Sequence, residues 1–316
     1  MMDLPGATYR GPLPPADEPL RRLVEELRRF VGRMAGEIGE RNLLRRPRQL
    51  ALAAECLAGE LSDVGYAVNR QEYRVAGTPC HNLEAELVGG VRPDEIVVVG
   101  AHYDSVLGTP GANDNASGVA ALVALARHFA NRSIGRTLRL VGFVNEEPPY
   151  FQTAEMGSWV YARRCRERGE NVTAMLSLET IGCYNDAPGS QRYPPPLDAF
   201  YPSTGNFIGF VANERSADLL RRVVGAFRKS EPFPSEGGAM PEWLPGVGFS
   251  DHWSFWQEGY PAVMVTDTAM YRYAHYHEPT DTPDKICFEP MARVVRGLRE
   301  VVAALVKVPD SPAESG

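Results

Sequence analysis

In the middle of the chain an apolar strand pattern, a polar loop and an apolar helix pattern follow one another. The run "IVVVGA" is apolar at every residue, which is typical of a central strand buried on both faces of a sheet. A helical pattern covers Asn115 to Ala130, and strand and helix patterns then alternate up to a closing helix at Pro290 to Val306. This alternation predicts a three-layer α/β/α domain with a mostly parallel, mixed central sheet.

The first part of the chain follows a different pattern. Apolar residues recur at three- and four-residue spacing from Glu18 to about Leu61, which predicts helices. Short β-rich segments follow, namely "YAVNRQEYRV", "NLEAELVG" and "EIVVVGAHYD". No repeat or linker divides the chain, so we expect one domain. Its parts are a packed N-terminal helical segment at 1–64, the α/β domain at 65–308 and a flexible tail at 309–316.

Composition and charge exclude several classes of protein. The formal net charge is −7, which argues against nucleic acid as a partner. No apolar run approaches the length of a membrane span, and the N-terminal residues lack the apolar core of a secretory signal. We therefore expect a cytoplasmic protein with no membrane partner. The five cysteines are scattered without a C-x-x-C pair, which argues against a disulfide framework and against a thiolate zinc site.

Carboxylates and imidazoles follow the predicted strands at the points where these end. Ligand sites in such sheets form beyond the carboxyl ends of the strands. The residues at those ends are His102, Asp104, Asp114, Glu146, Glu147, Glu179, Asp251, His252, His275, His277 and Asp281. A single acid in a loop is usually a cap or a turn former. Joint occurrence at successive strand ends predicts instead a site for zinc, cobalt or manganese.

Two metals fit this set better than one. The acids and histidines outnumber the three protein ligands that a catalytic zinc requires. Two closely spaced cations need a bridging carboxylate, and Asp114 is the natural bridge. Of the adjacent Glu146 and Glu147, one can bind a metal while the other acts as a general base in hydrolysis. Spacing alone does not decide between His275 and His277 as the last ligand.

Five segments resemble the co-catalytic di-zinc aminopeptidase family. This metallopeptidase group (clan MH) includes bacterial leucyl aminopeptidases, glutamate carboxypeptidase II and glutaminyl cyclases. The segments are "GAHYDS…GANDNASG", "NEEPP", "LETIGCY", "GFSDHWSFWQEGYPAVMVTDT" and "HYHEPTDTPDKI", and they occur in the family's order from about residue 82 to the closing helix. The resemblance implies a zinc exopeptidase fold and two Zn²⁺ ions per chain, with Co or Mn as substitutes.

The resemblance also assigns metal ligands. It makes His102, Asp114 and Glu179 the ligands of one zinc. Asp114, Glu147 and His277 would hold the other, so that Asp114 bridges the two ions. The family's final ligand lies in a "YH" pair four residues before "DT", which selects His277.

Further roles follow from the same resemblance. Glu146 would be the general base and acid, and Asp104 would orient the imidazole of His102. Asp251 and His252 match an "SDH" motif that supports the site from behind the ligands. Some members place a tyrosine just before this motif to stabilise the oxyanion, whereas this chain has Phe249 there. Tyr276 is the substitute candidate for that role.

One more departure concerns a metal ligand. Many aminopeptidases of this group have Asp where this chain has Glu179, and the longer side chain should shift the metal slightly. The loop from Tyr184 to Gly205 is long enough to form a wall for the substrate, and an ordered surface loop is an equal alternative.

The implied reaction is removal of the N-terminal residue from a peptide with a free N-terminus. A metal-bridging water would attack the peptide bond, with Glu146 as its general base. A carboxypeptidase is one alternative, which would need a basic residue such as Arg192 or Arg272 to hold a substrate carboxylate. A glutaminyl cyclase, whose relatives use one zinc, and a non-catalytic binding protein are the others. The oligomeric state stays open.

Overall fold

The structure, a computed structural model, describes residues 3–308, and the expected tail at 309–316 lies outside them. Eight strands in the described residues form one mixed sheet. They are β1 (Val68–Val75), β2 (Thr78–Leu87), β3 (Arg92–His102), β4 (Arg136–Phe143), β5 (Asn171–Glu179), β6 (Ile208–Ala212), β7 (Ser235–Ala239) and β8 (Ala262–Thr266). Their order across the sheet is β1-β2-β4-β3-β5-β8-β6-β7. The central strands β4, β3, β5 and β8 run parallel, whereas β1–β2, β2–β4 and β8–β6 pair antiparallel.

Helices cover both faces of this sheet, so the predicted α/β/α architecture is confirmed. They are α1 (Glu18–Val31), α2 (Pro47–Asp63), α3 (Gly118–Phe129), α4 (Gly157–Glu167), α5 (Ala217–Ser230), α6 (His252–Gln257), α7 (Ala269–Arg272) and α8 (Phe288–Val306). Successive residues of β3 point to opposite cores. Val97 and Val99 pack with α3 and α8, while Ile96 and Val98 pack with α4 and α6. Burial on both faces explains why this strand is apolar at every residue.

The N-terminal helices share the larger of the two cores. Helix α1 begins after Asp17, whose carboxylate accepts a hydrogen bond from the backbone N–H of Leu20 (2.8 Å). Its apolar stripe, which includes Leu23 and Leu27, is buried against α3 and α8. Each fully buried leucine contributes about 1.5–3 kcal/mol to stability. Within residues 3–308, no helix combines the length and apolar character that crossing a membrane requires.

Candidate metal centre

The parallel strands bring four of the predicted site residues to one edge of the sheet. β3 ends at His102 and β5 ends at Glu179, and Glu146 and Glu147 lie just beyond the end of β4. Because these three strands are adjacent and parallel, their carboxyl ends meet at the same edge. Asp114 reaches this edge from the loop before α3.

One set of side chains gathers around the imidazole of His102. Its Nε2 atom lies 3.3 Å from Asp114 Oδ1 and 3.3 Å from Glu179 Oε2. The imidazole is fully buried, and neither ring nitrogen has a hydrogen-bond partner among the described residues. Two ligand atoms that each lie about 2.0–2.1 Å from a tetrahedral zinc are separated by about 3.3 Å. The three side chains therefore have the spacing of ligands around one cation.

A second set gathers around His277, between α7 and α8. Its Nε2 atom lies 3.1 Å from Asp114 Oδ2 and 3.3 Å from Glu147 Oε2. Asp114 thus presents one oxygen to each histidine, as a carboxylate that bridges two cations would. His275 lies apart from this set, and its Nδ1 atom is hydrogen-bonded to the hydroxyl of Thr280 (2.8 Å).

The charges of the cluster also fit divalent cations. Seven buried carboxylates surround two histidines and one arginine, and they are Asp104, Asp114, Glu146, Glu147, Glu179, Asp251 and Asp281. Burial, with a contribution from the carboxylate of Asp114, raises the pKa of Glu147 to about 7, although His277 opposes the shift. Buried like charges of this kind need neutralisation, by protons or by bound cations.

Glu146 lies beside His102 and Glu179 but is not among the nearest carboxylates of the imidazole. Its Oε2 atom is 3.7 Å from Nε2 of His102, farther than the carboxylates of Asp114 and Glu179. Burial raises the pKa of Glu146 well above its ordinary value, and nearby Glu179 adds to the shift, although His102 opposes it. A free carboxylate with a raised pKa beside the candidate ligands has the properties of a general base.

Asp104 holds the two glutamates through their backbone. Its Oδ1 and Oδ2 atoms accept hydrogen bonds from the N–H groups of Glu146 and Glu147, both at 3.2 Å. The distance from Oδ1 to Nδ1 of His102 is 3.6 Å, which is too long for a hydrogen bond. In this structure Asp104 therefore positions the Glu146–Glu147 pair more directly than the imidazole.

In the "SDH" segment, the serine contacts a candidate ligand. Ser250 donates a hydrogen bond to Glu179 Oε2 (2.8 Å). Asp251 is fully buried, and its carboxylate oxygens have no hydrogen-bond partner among residues 3–308. His252 points elsewhere, with its Nε2 atom 2.7 Å from the carbonyl oxygen of Val247. Sequence reasoning missed Ser250, although its place directly before the motif's acid was the available signal.

The loop that carries Asp114 is fixed by a carboxylate from another loop. Asp281 accepts hydrogen bonds from the backbone N–H groups of Asn113 (2.8 Å) and Asp114 (3.1 Å) and from the hydroxyl of Tyr273 (2.7 Å). The side chain of Asn115 donates to the carbonyl oxygen of Leu178 (2.8 Å) near the end of β5. These contacts fix the backbone of Asp114 at the edge of the sheet.

Arg41 is the supporting residue that sequence reasoning missed most completely. It is fully buried, and its guanidinium donates to the carbonyl oxygens of Gly39, Tyr103, Pro110 and Gly111. Gly111 has a left-handed backbone with φ of +65°, and a Cβ atom there would lie 2.3 Å from the carbonyl oxygen of Asp114. Arg41 therefore ties the N-terminal segment to the loop between His102 and Asp114.

Backbone strain occurs beside the candidate ligands. Four non-glycine residues there have positive φ angles, and they are Asn145 (58°), Thr180 (47°), Thr268 (61°) and His277 (59°). Such conformations are uncommon outside glycine, and they cluster at functional sites.

An apolar cavity opens beside the ligands. Tyr276 and Glu179 form part of its wall, and the Tyr276 ring stacks on the imidazole of His277 with centroids 3.9 Å apart. The loop from 184 to 205 contributes Tyr193, Leu197 and Tyr201. That loop thus forms a wall of a cavity next to the candidate metal ligands.

Comparison with known proteins identifies the family. Residues 82–302 match the model of peptidase family M28. The chain belongs to this family. Over 255 residues this M28 peptidase is 38% identical to the uncharacterized protein YfbL of Escherichia coli (strain K12), with 78% of this chain and 77% of that protein covered. It is 26% identical over 241 residues to leucine aminopeptidase 1 of Arthroderma otae, with 72% of this chain and 58% of that protein covered.

A solved structure supports the same fold assignment. BSAP, a zinc aminopeptidase from Bacillus subtilis, superposes on this M28 chain with a TM-score of 0.69 over 92% of this chain and 97% of that one. At 14% sequence identity this likeness shows the fold alone. The family resemblance and the zinc exopeptidase fold predicted from the sequence are both confirmed.

Proposed function

We propose that this M28 peptidase is a zinc-dependent aminopeptidase that binds two Zn²⁺ ions. The observation that carries the proposal is the position of Asp114, whose Oδ1 and Oδ2 atoms each face one histidine-centred set of ligands. The name of one relative, leucine aminopeptidase 1 of Arthroderma otae, supports the reaction type.

In this proposal the two sets of side chains around His102 and His277 bind one ion each. His102, Asp114 and Glu179 would hold one ion, and Asp114, Glu147 and His277 would hold the other. Zinc bound there would supply Lewis-acid chemistry, polarising a carbonyl group and lowering the pKa of water.

The chain's own proton transfers centre on Glu146. Its carboxylate would take the proton of the attacking water and return it to the leaving amine. Burial raises the pKa of Glu146 above its ordinary value, which makes the carboxylate a stronger base towards water. The hydroxyl of Tyr276, beside the cavity, would donate a hydrogen bond to the oxyanion of the tetrahedral intermediate.

The alternatives receive less support from the geometry. Neither lysine nor arginine is among the described residues that line the cavity, so no basic group there could hold a substrate carboxylate, as a carboxypeptidase requires. Arg272 is engaged elsewhere, with its guanidinium donating to Gln191 Oε1 (2.7 Å) and to the carbonyl oxygen of Phe207 (2.8 Å). The second ligand set around His277 is more than a one-zinc cyclase needs.

Metal analysis combined with one glutamate substitution tests the proposal. We expect two zinc ions per chain by elemental analysis after zinc loading, and hydrolysis of aminoacyl p-nitroanilides that N-acetylation abolishes. The variant Glu146→Gln should keep both ions and its thermal midpoint but lose about 100-fold or more in kcat. Glu155→Gln, an exposed acid nine residues later, is the matched control and should keep full activity.

Each contrary result points to a different reading. One zinc per chain would favour the cyclase-like alternative, and no zinc would favour a binding protein. Hydrolysis of N-acetylated peptides from their C-terminus would favour a carboxypeptidase. A Glu146→Gln variant with near wild-type turnover would remove Glu146 from the proposed mechanism.

A further inference from the structure

The cavity beside the candidate ligands contains one acid that the proposed chemistry does not use. Its wall is formed almost entirely by aromatic and apolar side chains, such as Phe207, Phe210 and Met240. Two carboxylates interrupt this lining, and they are Glu179, assigned above as a ligand, and Glu236.

Glu236 projects from β7, the edge strand of the sheet. Residues on one side of this strand are engaged with α5, since the hydroxyl of Ser235 accepts a hydrogen bond from Nε of Arg228 (3.1 Å). Glu236 and Gly238 lie on the alternate side. A Cβ atom on Gly238 would lie 2.5 Å from the hydroxyl of Tyr201 in the cavity wall, so the glycine leaves room for that ring.

The Glu236 carboxylate has no partner of its own. It is partly buried, and within residues 3–308 its side chain forms no hydrogen bond and no ion pair. Burial raises the pKa of Glu236, and the guanidinium groups of Arg228 and Arg10 counteract part of the shift. Because Glu236 is only partly buried, water can reach its carboxylate in the free protein. A ligand that fills the cavity would displace this water, so a ligand that brings a positive charge to the carboxylate would be favoured over an apolar one.

The sheet order sets the distance that such a ligand must span. β7 stands three strands from β5, at whose end Glu179 lies. Neighbouring strands are about 4.8 Å apart, so β5 and β7 are separated by about 14 Å. A short side chain on a substrate held at Glu179 would end in the apolar part of the cavity. A long side chain is needed to approach the carboxylate of Glu236.

We propose that this cavity binds the side chain of the substrate's N-terminal residue and selects lysine or arginine, with Glu236 as the specificity-determining residue. This assignment rests on the aminopeptidase function proposed above. The methylene groups of lysine or arginine would lie along the aromatic wall, and the cationic end would pair with the Glu236 carboxylate. A leucine side chain would cover the wall but leave this carboxylate unpaired and less hydrated.

The test compares substrates that differ only at the end of the side chain. We expect the zinc-loaded enzyme to show a higher kcat/KM for lysine and arginine p-nitroanilides than for norleucine p-nitroanilide, which has an apolar chain in place of the lysine side chain. In Glu236→Gln the ratio of lysine to norleucine should fall by about 10-fold, because the cationic end of lysine loses its ion pair with the carboxylate and keeps at most a hydrogen bond to a neutral amide. The zinc content should not change. Glu214→Gln, an exposed acid outside the cavity wall, should leave the ratio unchanged.

Three results would overturn the assignment while leaving the aminopeptidase proposal intact. Norleucine or leucine could be cleaved as well as lysine by the wild type, or the ratio could stay the same in Glu236→Gln. Tyrosine could instead be the preferred residue, with its hydroxyl donating to Glu236. A wild-type enzyme that loads two zinc ions but cleaves no aminoacyl substrate would overturn the proposed function, and the specificity assignment with it.

Discussion

Replacing Arg41 by methionine should strongly destabilise the protein, although this residue lies outside the segment that matches the family. The guanidinium is fully buried and donates to four carbonyl oxygens. One of them, on Gly111, also accepts from the backbone N–H of Ala116 (3.1 Å). The other three, on Gly39, Tyr103 and Pro110, have Arg41 as their donor among the described residues.

The expected loss follows from these three acceptors. A buried acceptor left without a donor costs about 1–3 kcal/mol. The oxygen of Tyr103 is buried, whereas the hydrogen bonds to Gly39 and Pro110 are half-buried and water can replace them. Arg41→Met should therefore lower the free energy of unfolding by about 1–3 kcal/mol or more. Native proteins are stable by only about 5–15 kcal/mol, so the loss is a large fraction of the total. Arg41→Lys keeps the charge but has three donors on one atom, and it should recover only part of the stability.

Urea unfolding of the metal-free protein measures this loss separately from any effect of zinc. Arg45→Met is the matched control, because Arg45 is exposed and the described residues provide no side-chain partner for it. The control should change the free energy of unfolding by less than about 0.5 kcal/mol. A decrease in the free energy of unfolding of less than about 1 kcal/mol in Arg41→Met, with an unchanged urea dependence, would contradict this prediction. It would mean that water or new donors satisfy the carbonyl groups that Arg41 contacts.

Two predictions concern the ligands and the oxyanion. Asp114→Asn should weaken zinc at both positions, because the amide offers one position an uncharged oxygen and the other an NH2 group that cannot bind a metal, whereas Glu147→Gln should weaken only one position. Elemental analysis after dialysis in a zinc buffer measures this, and two retained ions in Asp114→Asn would contradict the bridge. Tyr276→Phe should keep both ions and lower kcat by about 100-fold with little change in KM, as for the loss of one oxyanion donor. Steady-state kinetics measure it, and an unchanged kcat would assign the oxyanion to another group.

The central part of the fold could be predicted because its strands are buried on both faces. β3, β4, β5 and β8 are apolar runs whose length and flanking residues separate them from helices. The start of α3 was less predictable. The apolar pattern places it at Asn115, but the helix begins at Gly118. Asp114 and Asn115 have non-helical backbone angles. This conformation directs Asp114 towards the two histidines and allows Asn115 to donate a hydrogen bond to Leu178 near the end of β5.

Strand β7 could not be predicted from local pattern. Its sequence "SEGGA" contains two glycines and one acid, residue types that are depleted in strands. It forms the edge strand of the sheet because β6 pairs with it in parallel. The long loop before β6 also gives no pattern, yet it contributes Tyr193 and Tyr201 to the wall of the cavity that Glu236 lines. Specificity in this region therefore depends on tertiary contacts that no motif records.

In the candidate metal centre too, motifs in the sequence indicate some of the residues, whereas tertiary contacts set their positions. The motifs name the candidate ligands, because carboxylates and imidazoles that can bind zinc recur at the strand ends. The distances between these candidate ligands depend on residues of a different kind. Asp281 fixes the backbone of Asp114 from a later loop, and Arg41 fixes the preceding loop from the N-terminal segment. Both interactions are made with backbone groups, so the side chains on the receiving side are not what makes these contacts. Apart from Gly111 and Asp114, which have roles of their own, the receiving loop should therefore tolerate substitution more readily than the site tolerates loss of Asp281 or Arg41.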